Sequence, residues 1–174
     1  LRDRAMRFVT TITGDASLVS HIENPYDRVM ALTALGRYAE AEALAGELAQ
    51  GVIFANVCLS HMDQSMAALP AASRNDPDFF IGNMIPTCIS DDVEAAKAVN
   101  RRTLTNYAFL PNYRNYWKEA GYVEEMNGIE KAIADGRRED VPKFLTDRWL
   151  ADNTLFGPAS KVREGVAAWR AAGV

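Results

Sequence analysis

A glycine and an arginine at the start of a helical segment are the residues of this chain best suited to bind an anion. Leu35, Gly36 and Arg37 lead into the Ala-, Glu- and Leu-rich residues 37–50. The first N–H groups of a helix lack internal acceptors and favour a phosphate. Gly36 permits close backbone approach, and Arg37 adds a charged donor. The alternative interpretation is a turn glycine followed by a solvated arginine.

Cysteines and histidines are few and scattered. Cys58 and Cys88 lie far apart in apolar surroundings, and His21 is distant from His61. A zinc site needs a tighter ligand cluster, so we predict no metal and two reduced, buried thiols. Cys58 is interpreted as a packed thiol rather than a nucleophile. His61, in the first turn of a predicted helix, is either a proton donor or a hydrogen-bonded structural side chain.

Aromatic residues form a stripe on one predicted helix. Tyr113, Tyr116 and Trp117 share a face at helical spacing. They either pack in the core or line a substrate pocket. No spacing in the sequence predicts a pair of acid/base carboxylates or a Ser/His/Asp triad.

Three short apolar runs predict strands that would position these residues. They cover residues 29–35, 52–57 and 79–89, and Pro86 places a break in the third. The first two runs lack polar alternation, which is typical of parallel strands buried on both faces. Residues 37–50 are predicted as a helix that Gly51 ends.

Helices are predicted for much of the remaining chain. Residues 1–13 are a short helix running into extended chain, residues 14–25 are a loop, and residues 155–157 are extended. A helix through Leu69 is assigned a Ser60 cap, and the next helix an Asp91/Glu94 capping box. Further helices are predicted from Pro111 to Gly121, 123–136, from an Asp140 cap, and 159–172. The alternation predicts parallel strands with right-handed crossovers in one domain, residues 1–174.

Composition excludes several classes of protein. The chain has 174 residues, 48% hydrophobic and 24% charged, with a net charge of -4. These values fit a soluble globular domain and not a disordered chain. The apolar runs are too short for a membrane helix, and no basic block predicts nucleic-acid binding. The amino-terminal residues are charged and lack the apolar stretch of a signal peptide, so we expect a cytoplasmic location.

Several phrases together resemble the carboxyl-terminal half of the bacterial-luciferase-like family of flavin- and deazaflavin-dependent oxidoreductases. They occur in the family's order over residues 29–174, whereas the first 28 residues match poorly. The phrases are LTALG (32–36), LAGELAQGVI (44–53), IGNMIPTCISDD (81–92), LPNYRNYW (110–117), and FGP (156–158) with the helix up to Val174.

The resemblance implies a parallel (β/α)₈ TIM barrel, of which this chain covers roughly the carboxyl-terminal half plus extra helices. Complete barrels of this type need about 250 residues. By this expectation the final strand after Val174 is missing, and the chain is either a fragment or an incomplete record. A half barrel leaves open strand edges. We therefore expect a homo-oligomer or a need for the missing half, and no activity of the isolated half.

The resemblance also implies a coenzyme and its site. The coenzyme is a deazaflavin of the F-420 type or FMN, and hydride passes between it and a small organic substrate. Tyr113 and Tyr116 are expected to line the substrate. Cys58 stands where a basic residue occurs in some relatives, and no catalytic residue is identified. The expected coenzyme-binding residues are Thr33, Leu35, Gly36, Arg37, Asn56, Val57 and Cys58.

Two alternative functions stay open. One is an FMN-dependent monooxygenase of the same fold. The other is a non-catalytic helical interaction module, because residues 36–45 resemble one helix of a tetratricopeptide repeat. No second copy of that helix follows at the repeat period of about 34 residues, and residues 52–57 favour a strand.

Overall fold

The computed structural model describes residues 1–48 and 50–174 and shows a mostly helical α/β chain with short strands. The strands are β1 (Gly51–Ala55), β2 (Phe80–Met84), β3 (Thr87–Ile89) and β4 (Leu155–Gly157). The α-helices are α1 (Arg2–Thr13), α2 (Pro25–Ala34), α3 (Tyr38–Leu48), α4 (Met62–Ala68), α5 (Ala71–Arg74), α6 (Val93–Ala108), α7 (Pro111–Glu119), α8 (Val123–Ala134), α9 (Asp147–Asn153) and α10 (Ala159–Ala171). Shorter 3₁₀ segments are Ala16–His21, Leu59–His61 and Arg138–Phe144.

The chain divides into two compact units. Unit 1 comprises Leu1–Val52 and Gln64–Ile81, and unit 2 comprises Ile53–Asp63 and Gly82–Val174. Each unit has its own cluster of buried apolar side chains.

The predicted strand over residues 29–35 is wrong, because this segment belongs to helix α2. The Asn24 side chain caps α2 by accepting a hydrogen bond from the Asp27 N–H at 3.1 Å, and Pro25 occupies the first turn. Ala31 and Leu32 are buried in the core of unit 1. A short, continuously apolar run has no period that separates a buried strand from a buried helix.

The amino-terminal segment is helical throughout, so the predicted extended part of residues 1–13 is also wrong. The hydroxyls of Thr10, Thr11 and Thr13 donate to carbonyls four residues earlier, at 2.8 to 2.9 Å. These bonds keep the Thr-rich stretch within the helix. Gly14 ends α1 with a φ of 69°, and a 3₁₀ segment follows inside the predicted loop.

The helix predicted over residues 37–50 is confirmed as α3, with residue 49 outside the described residues. Gly51 begins β1 rather than ending the helix. A Cβ at Gly51 would lie 2.5 Å from the Phe80 carbonyl oxygen, so this position requires glycine for a close approach of the backbone.

The strands predicted over 52–57 and 79–89 are confirmed as β1 and as the pair β2 and β3, with Pro86 in the break. β1 pairs with β2. Where the two strands begin, the Phe80 N–H donates to the Gln50 carbonyl. Where they end, the Asn56 N–H donates to the Met84 carbonyl. The two strands are therefore parallel.

The second sheet is also parallel and lies in unit 2. β3 pairs with β4, with Thr87 opposite Leu155 and Ile89 opposite Gly157. The two sheets have two strands each, so the described residues contain parallel strands and helices but no complete barrel.

The predicted helices of unit 2 are confirmed, with three corrections at helix starts. α6 is capped by Asp92, whose side chain accepts from the Ala95 N–H, and not by Asp91. The segment predicted to start at Asp140 is a 3₁₀ turn and then α9, which Thr146 caps. A 3₁₀ segment, Leu59–His61, precedes α4, and its cap position is Cys58 rather than Ser60.

The core of unit 2 is centred on two fully buried tryptophans. The rings of Trp117 (α7) and Trp149 (α9) meet edge to face, with centroids 4.7 Å apart. Aromatic pairs in this geometry add to the free energy of apolar burial. In the part of the chain that the structure describes, no helix combines the length and the apolar character that a membrane crossing requires.

Two glycines of unit 2 give a matched test of this packing. A Cβ at Gly128 in α8 would lie 2.3 Å from the rigid Phe144 ring, and one at Gly165 in α10 would lie 2.3 Å from a terminal methyl of Leu155. We expect Gly128→Ala to lower the free energy of unfolding by about 1 to 3 kcal/mol, because the ring cannot yield without repacking. Gly165→Ala should lower the free energy of unfolding by a smaller amount, because the leucine methyl can rotate away. Urea unfolding of both variants measures the difference, and equal losses would contradict the packing.

Candidate functional site

The end of β1 is fixed by a tryptophan and by an unusual backbone conformation. Asn56 is buried and has a φ of 58°, a left-handed conformation that asparagine tolerates better than most residues. The Trp117 indole N–H donates to the Asn56 carbonyl at 3.0 Å. The buried Asn56 side-chain nitrogen has no hydrogen-bond partner among the described residues. This orphaned donor and the left-handed backbone make Asn56 a costly position, a property common at functional sites.

Asn83 of β2 holds the next residue of the turn. Its Oδ1 accepts from the Val57 N–H at 3.4 Å, and its Nδ2 donates to the Val57 carbonyl at 3.3 Å. The side-chain amide thus replaces a strand neighbour for Val57. Both polar backbone groups of Val57 are occupied within unit 2.

Cys58 follows as a fully buried thiol, which confirms its interpretation as a packed side chain. Its Sγ donates to Asn153 Oδ1 at 3.3 Å. Burial raises the pKa of the Cys58 thiol far above its ordinary value, and the nearby Asp152 charge raises it further. A thiol that does not ionise is a poor nucleophile. Cys88 is also a free thiol but is half-buried, so the prediction of two buried thiols is wrong for Cys88.

Asp152 of α9 is the polar centre of this region, and no motif in the sequence points to it. Its carboxylate accepts from the Ser60 N–H at 2.8 Å, from the Ser60 hydroxyl at 2.6 Å and from the Tyr122 hydroxyl at 2.7 Å. Burial, and then the bond to Asp152, raise the pKa of Tyr122 well above its ordinary value. Ser60 and Asp152 are 92 positions apart, and no local pattern signals such a contact.

The predicted aromatic stripe lies beside the same turn. The His61 ring meets the Tyr116 ring edge to face, with centroids 5.5 Å apart. Tyr113 contacts the rings of Tyr107 and Trp117 at 5.0 and 5.6 Å, and burial raises its pKa. Trp117 is a core residue, whereas Tyr113 and Tyr116 are half-buried. The substrate-lining role of the two tyrosines stays a prediction.

The other predicted coenzyme-binding residues lie in unit 1, at the end of a helix rather than of a strand. Gly36 has a φ of 73°. The Gly36 N–H donates to the Thr33 carbonyl, and the Arg37 N–H to the Leu32 carbonyl. This pair of bonds is a Schellman motif, which closes the end of α2 and explains the need for glycine. Leu35 is the last residue before this turn, and its N–H donates to the Ala31 carbonyl.

Arg37 lines a surface cavity of about 660 Å³ in unit 1. The guanidinium of Arg37 donates to Glu40 twice, through Nε to Oε1 at 2.6 Å and through Nη2 to Oε2. A second guanidinium, that of Arg28, lines the same cavity, and its Nε donates to the Ile22 carbonyl at 3.0 Å. Two cations and one carboxylate therefore face this space. Its other lining residues include Ser17, Ser20, Val19, Leu32 and Leu44.

The comparison with protein families identifies the family to which the chain belongs. The family described as luciferase-like monooxygenase matches residues 19–174. The chain belongs to the luciferase-like monooxygenase family. The match begins ten residues before the resembling phrases do, and it includes α2 to α10 but not α1. Comparison with curated proteins gave no match, and comparison with solved structures gave none.

Membership of the luciferase-like family makes the protein an oxidoreductase by kind, and it allows the geometry to be tested against a flavin-type coenzyme. The cavity with Arg28 and Arg37 fits an anionic group, because each guanidinium keeps donors that no described bond uses. The turn after β1 does not fit a phosphate in the same way. Its Val57 and Ser60 N–H groups already donate to side chains of unit 2. The roles of Asn56, Val57 and Cys58 in binding stay predictions.

The two thiols of this luciferase-like chain should differ strongly in reactivity. We expect a disulfide reagent at neutral pH to modify Cys88 in the folded protein and to leave Cys58 unmodified until the chain unfolds, because Cys58 is buried and resists ionisation. Mass spectrometry of the labelled protein measures this, with Cys88→Ser as the control that removes the fast reaction. Rapid labelling of the folded Cys88→Ser variant would contradict the assignment.

Proposed function

We propose that the protein is a flavin- or deazaflavin-dependent oxidoreductase that transfers hydride between the coenzyme and a small organic substrate. The observation that carries this proposal is the family match over residues 19–174. The coenzyme supplies the redox chemistry when bound, and the protein supplies binding, orientation and exclusion of water.

In this proposal the anionic end of the coenzyme binds in the unit 1 cavity. Arg37 and Arg28 are the donors that would hold it, and Ser17 and Ser20 line the same space. The apolar side chains of Val19, Leu32 and Leu44 lie beside the polar ones, which suits a ligand with an anionic end and an apolar body. Of the seven predicted binding residues, Arg37 lines this cavity, and Arg28 is proposed in addition. The binding roles of Thr33, Leu35 and Gly36 stay predictions, as do those of Asn56, Val57 and Cys58.

An FMN-dependent monooxygenase is the second candidate, since monooxygenase is the activity in the description of the matching family. The two reactions differ in the fate of oxygen. Hydride transfer proceeds without oxygen, whereas a monooxygenase consumes it in proportion to the substrate. The strands β1 to β4 do not fit a purely helical repeat array, so we do not propose the helical interaction module.

We also propose that a further protein surface, from a second copy or from the remainder of a barrel, covers the strands of unit 2. Ile53, Met84 and Ile89 support this, because they are apolar strand residues with 64%, 48% and 62% of their surface exposed. We expect light scattering of the purified chain to give at least twice the monomer mass, and Ile89→Glu to reduce it. A monomeric wild-type chain would contradict the proposed second copy.

The test of coenzyme binding separates the phosphate from the ring system. We expect FMN or an F-420-type deazaflavin to bind saturably, as measured by coenzyme fluorescence. Arg37→Ala should weaken the binding of FMN about tenfold, the effect of losing one charge-assisted hydrogen bond. The binding of riboflavin, which lacks the phosphate, should not change between wild type and variant.

The matched control is Arg74→Ala. Arg74 is an exposed arginine of unit 1 outside the residues that line the cavity. This variant should bind both ligands as the wild type does. Binding of neither FMN nor the deazaflavin by the folded chain would contradict the proposed function. An equal loss of FMN and riboflavin affinity in Arg37→Ala would contradict the phosphate contact.

A further inference from the structure

Three hydrogen bonds converge on a single carboxylate just beyond the end of β1. Asp152 receives the Ser60 N–H, the Ser60 hydroxyl and the Tyr122 hydroxyl, all at 2.6 to 2.8 Å. An ionised carboxylate is an acceptor only, so it satisfies every one of these donors without a competing donor of its own. Bonds of this kind, with a charged acceptor, are about twice as strong as neutral ones.

These bonds join three separate segments of unit 2. Ser60 belongs to the Leu59–His61 turn after β1, Tyr122 lies between α7 and α8, and Asp152 lies on α9. The neighbouring residue Asn153 accepts the Cys58 thiol from the same turn. The turn is thus held by two consecutive residues of α9, and its position follows that of the helix.

The held turn presents a histidine. His61 directly follows Ser60, is half-buried, and rests edge to face on Tyr116. The backbone N–H of His61 donates to the Cys58 carbonyl at 3.1 Å. With Ser60 fixed by Asp152 and the turn closed by that bond, the backbone of His61 is held where its ring contacts Tyr116.

The same carboxylate also determines what the turn can bind. A phosphate at a turn needs free N–H or hydroxyl donors, and Asp152 occupies both donors of Ser60 with a charge that repels anions. The two donors of Ser60 are therefore not available to a phosphate at this turn.

We infer that Asp152 is the positioning residue of the β1 end, which fixes the Ser60 turn, orients His61 and closes the turn to phosphate. The inference does not rest on the proposed function, which places the anionic end of the coenzyme in the unit 1 cavity. Asp152 acts through Ser60 and is not itself assigned to the reaction.

The test uses the two histidines of the chain as reporters. In protein labelled with ¹³C-histidine, His61 should give a ring resonance displaced by the Tyr116 ring, whereas the exposed His21 should give an ordinary one. We expect Asp152→Asn to move the His61 resonance toward the position of His21, because the neutral amide loses the charge that binds Ser60. Ser60→Ala should move it in the same direction.

The matched control is Asp147→Asn on the same helix. Asp147 is an exposed carboxylate paired with Lys97 and Arg101 and does not bond to the turn. This variant should leave the His61 resonance in place, even where thermal unfolding shows that both variants lose similar stability. A His61 resonance that is unchanged in Asp152→Asn, or that moves equally in Asp147→Asn, would overturn the inference.

Inorganic phosphate tests the closure of the turn. Its addition to the wild-type chain should leave the Ser60 amide and His61 ring resonances unmoved, and a saturable shift of either would overturn the closure. These readouts need no coenzyme. If neither FMN nor deazaflavin binds, the proposed function fails, while the histidine resonances still decide the role of Asp152.

Discussion

The hydrogen bond from the Trp117 indole to the Asn56 carbonyl is the contact on which the region after β1 depends. Trp117 is fully buried against Trp149, and burial makes an acceptor for its N–H inside the protein strongly favourable. The acceptor is the carbonyl of a residue with left-handed backbone. A side chain of the helical core thereby fixes the point at which the strand stops and the chain turns.

The polar contacts that follow are ordered along the chain from this point. Asn83 occupies the backbone of Val57, Asn153 accepts the Cys58 thiol, and Asp152 binds Ser60. In each case a side chain accepts or donates the hydrogen bond that a backbone group or water would otherwise provide. The turn therefore obtains its geometry from β2 and α9, since it lacks a regular element of its own before the short Leu59–His61 segment.

Much of the helical half of the chain could be predicted from local signals. These signals act through the backbone of a single residue, so the residue type alone predicts them. Examples are Pro111 in the first turn of a helix, and Gly121 and Gly136, which have a positive φ after helices. The run at residues 29–35 could not be assigned in this way. It is apolar apart from Thr33, so its pattern does not separate a strand from a helix, and its helical state follows from the Asn24 cap, Pro25 and packing within unit 1.

The residues of the candidate site also differ in whether their structural role follows from the local sequence or from long-range contacts. Gly36 is predicted as a site where the backbone allows close approach of a phosphate, whereas the structure shows that its positive φ closes the end of a helix and not of a strand. Asp152 is an ordinary acidic residue within a helix by every local criterion. Its importance arises from Ser60 and Tyr122, which reach it only in the folded chain. A single sequence contains no trace of such long-range bonds.

The charges around each region explain why the anion-binding assignment differs between the two units. The cations of α7 and α9 are Arg114, Lys118 and Arg148, and each is paired with a glutamate of α8. Lys118 and then Arg114 hold the pKa of Glu130 below its ordinary value, so this pairing persists in mildly acidic solution. These cations are therefore paired, and Asp152 adds a negative charge at the turn after β1. In unit 1, Arg37 is likewise paired with Glu40, whereas the Arg28 guanidinium that lines the same cavity has no carboxylate partner among the described residues. An anionic ligand is therefore favoured by the electrostatics of the unit 1 cavity and disfavoured at the turn that Asp152 holds.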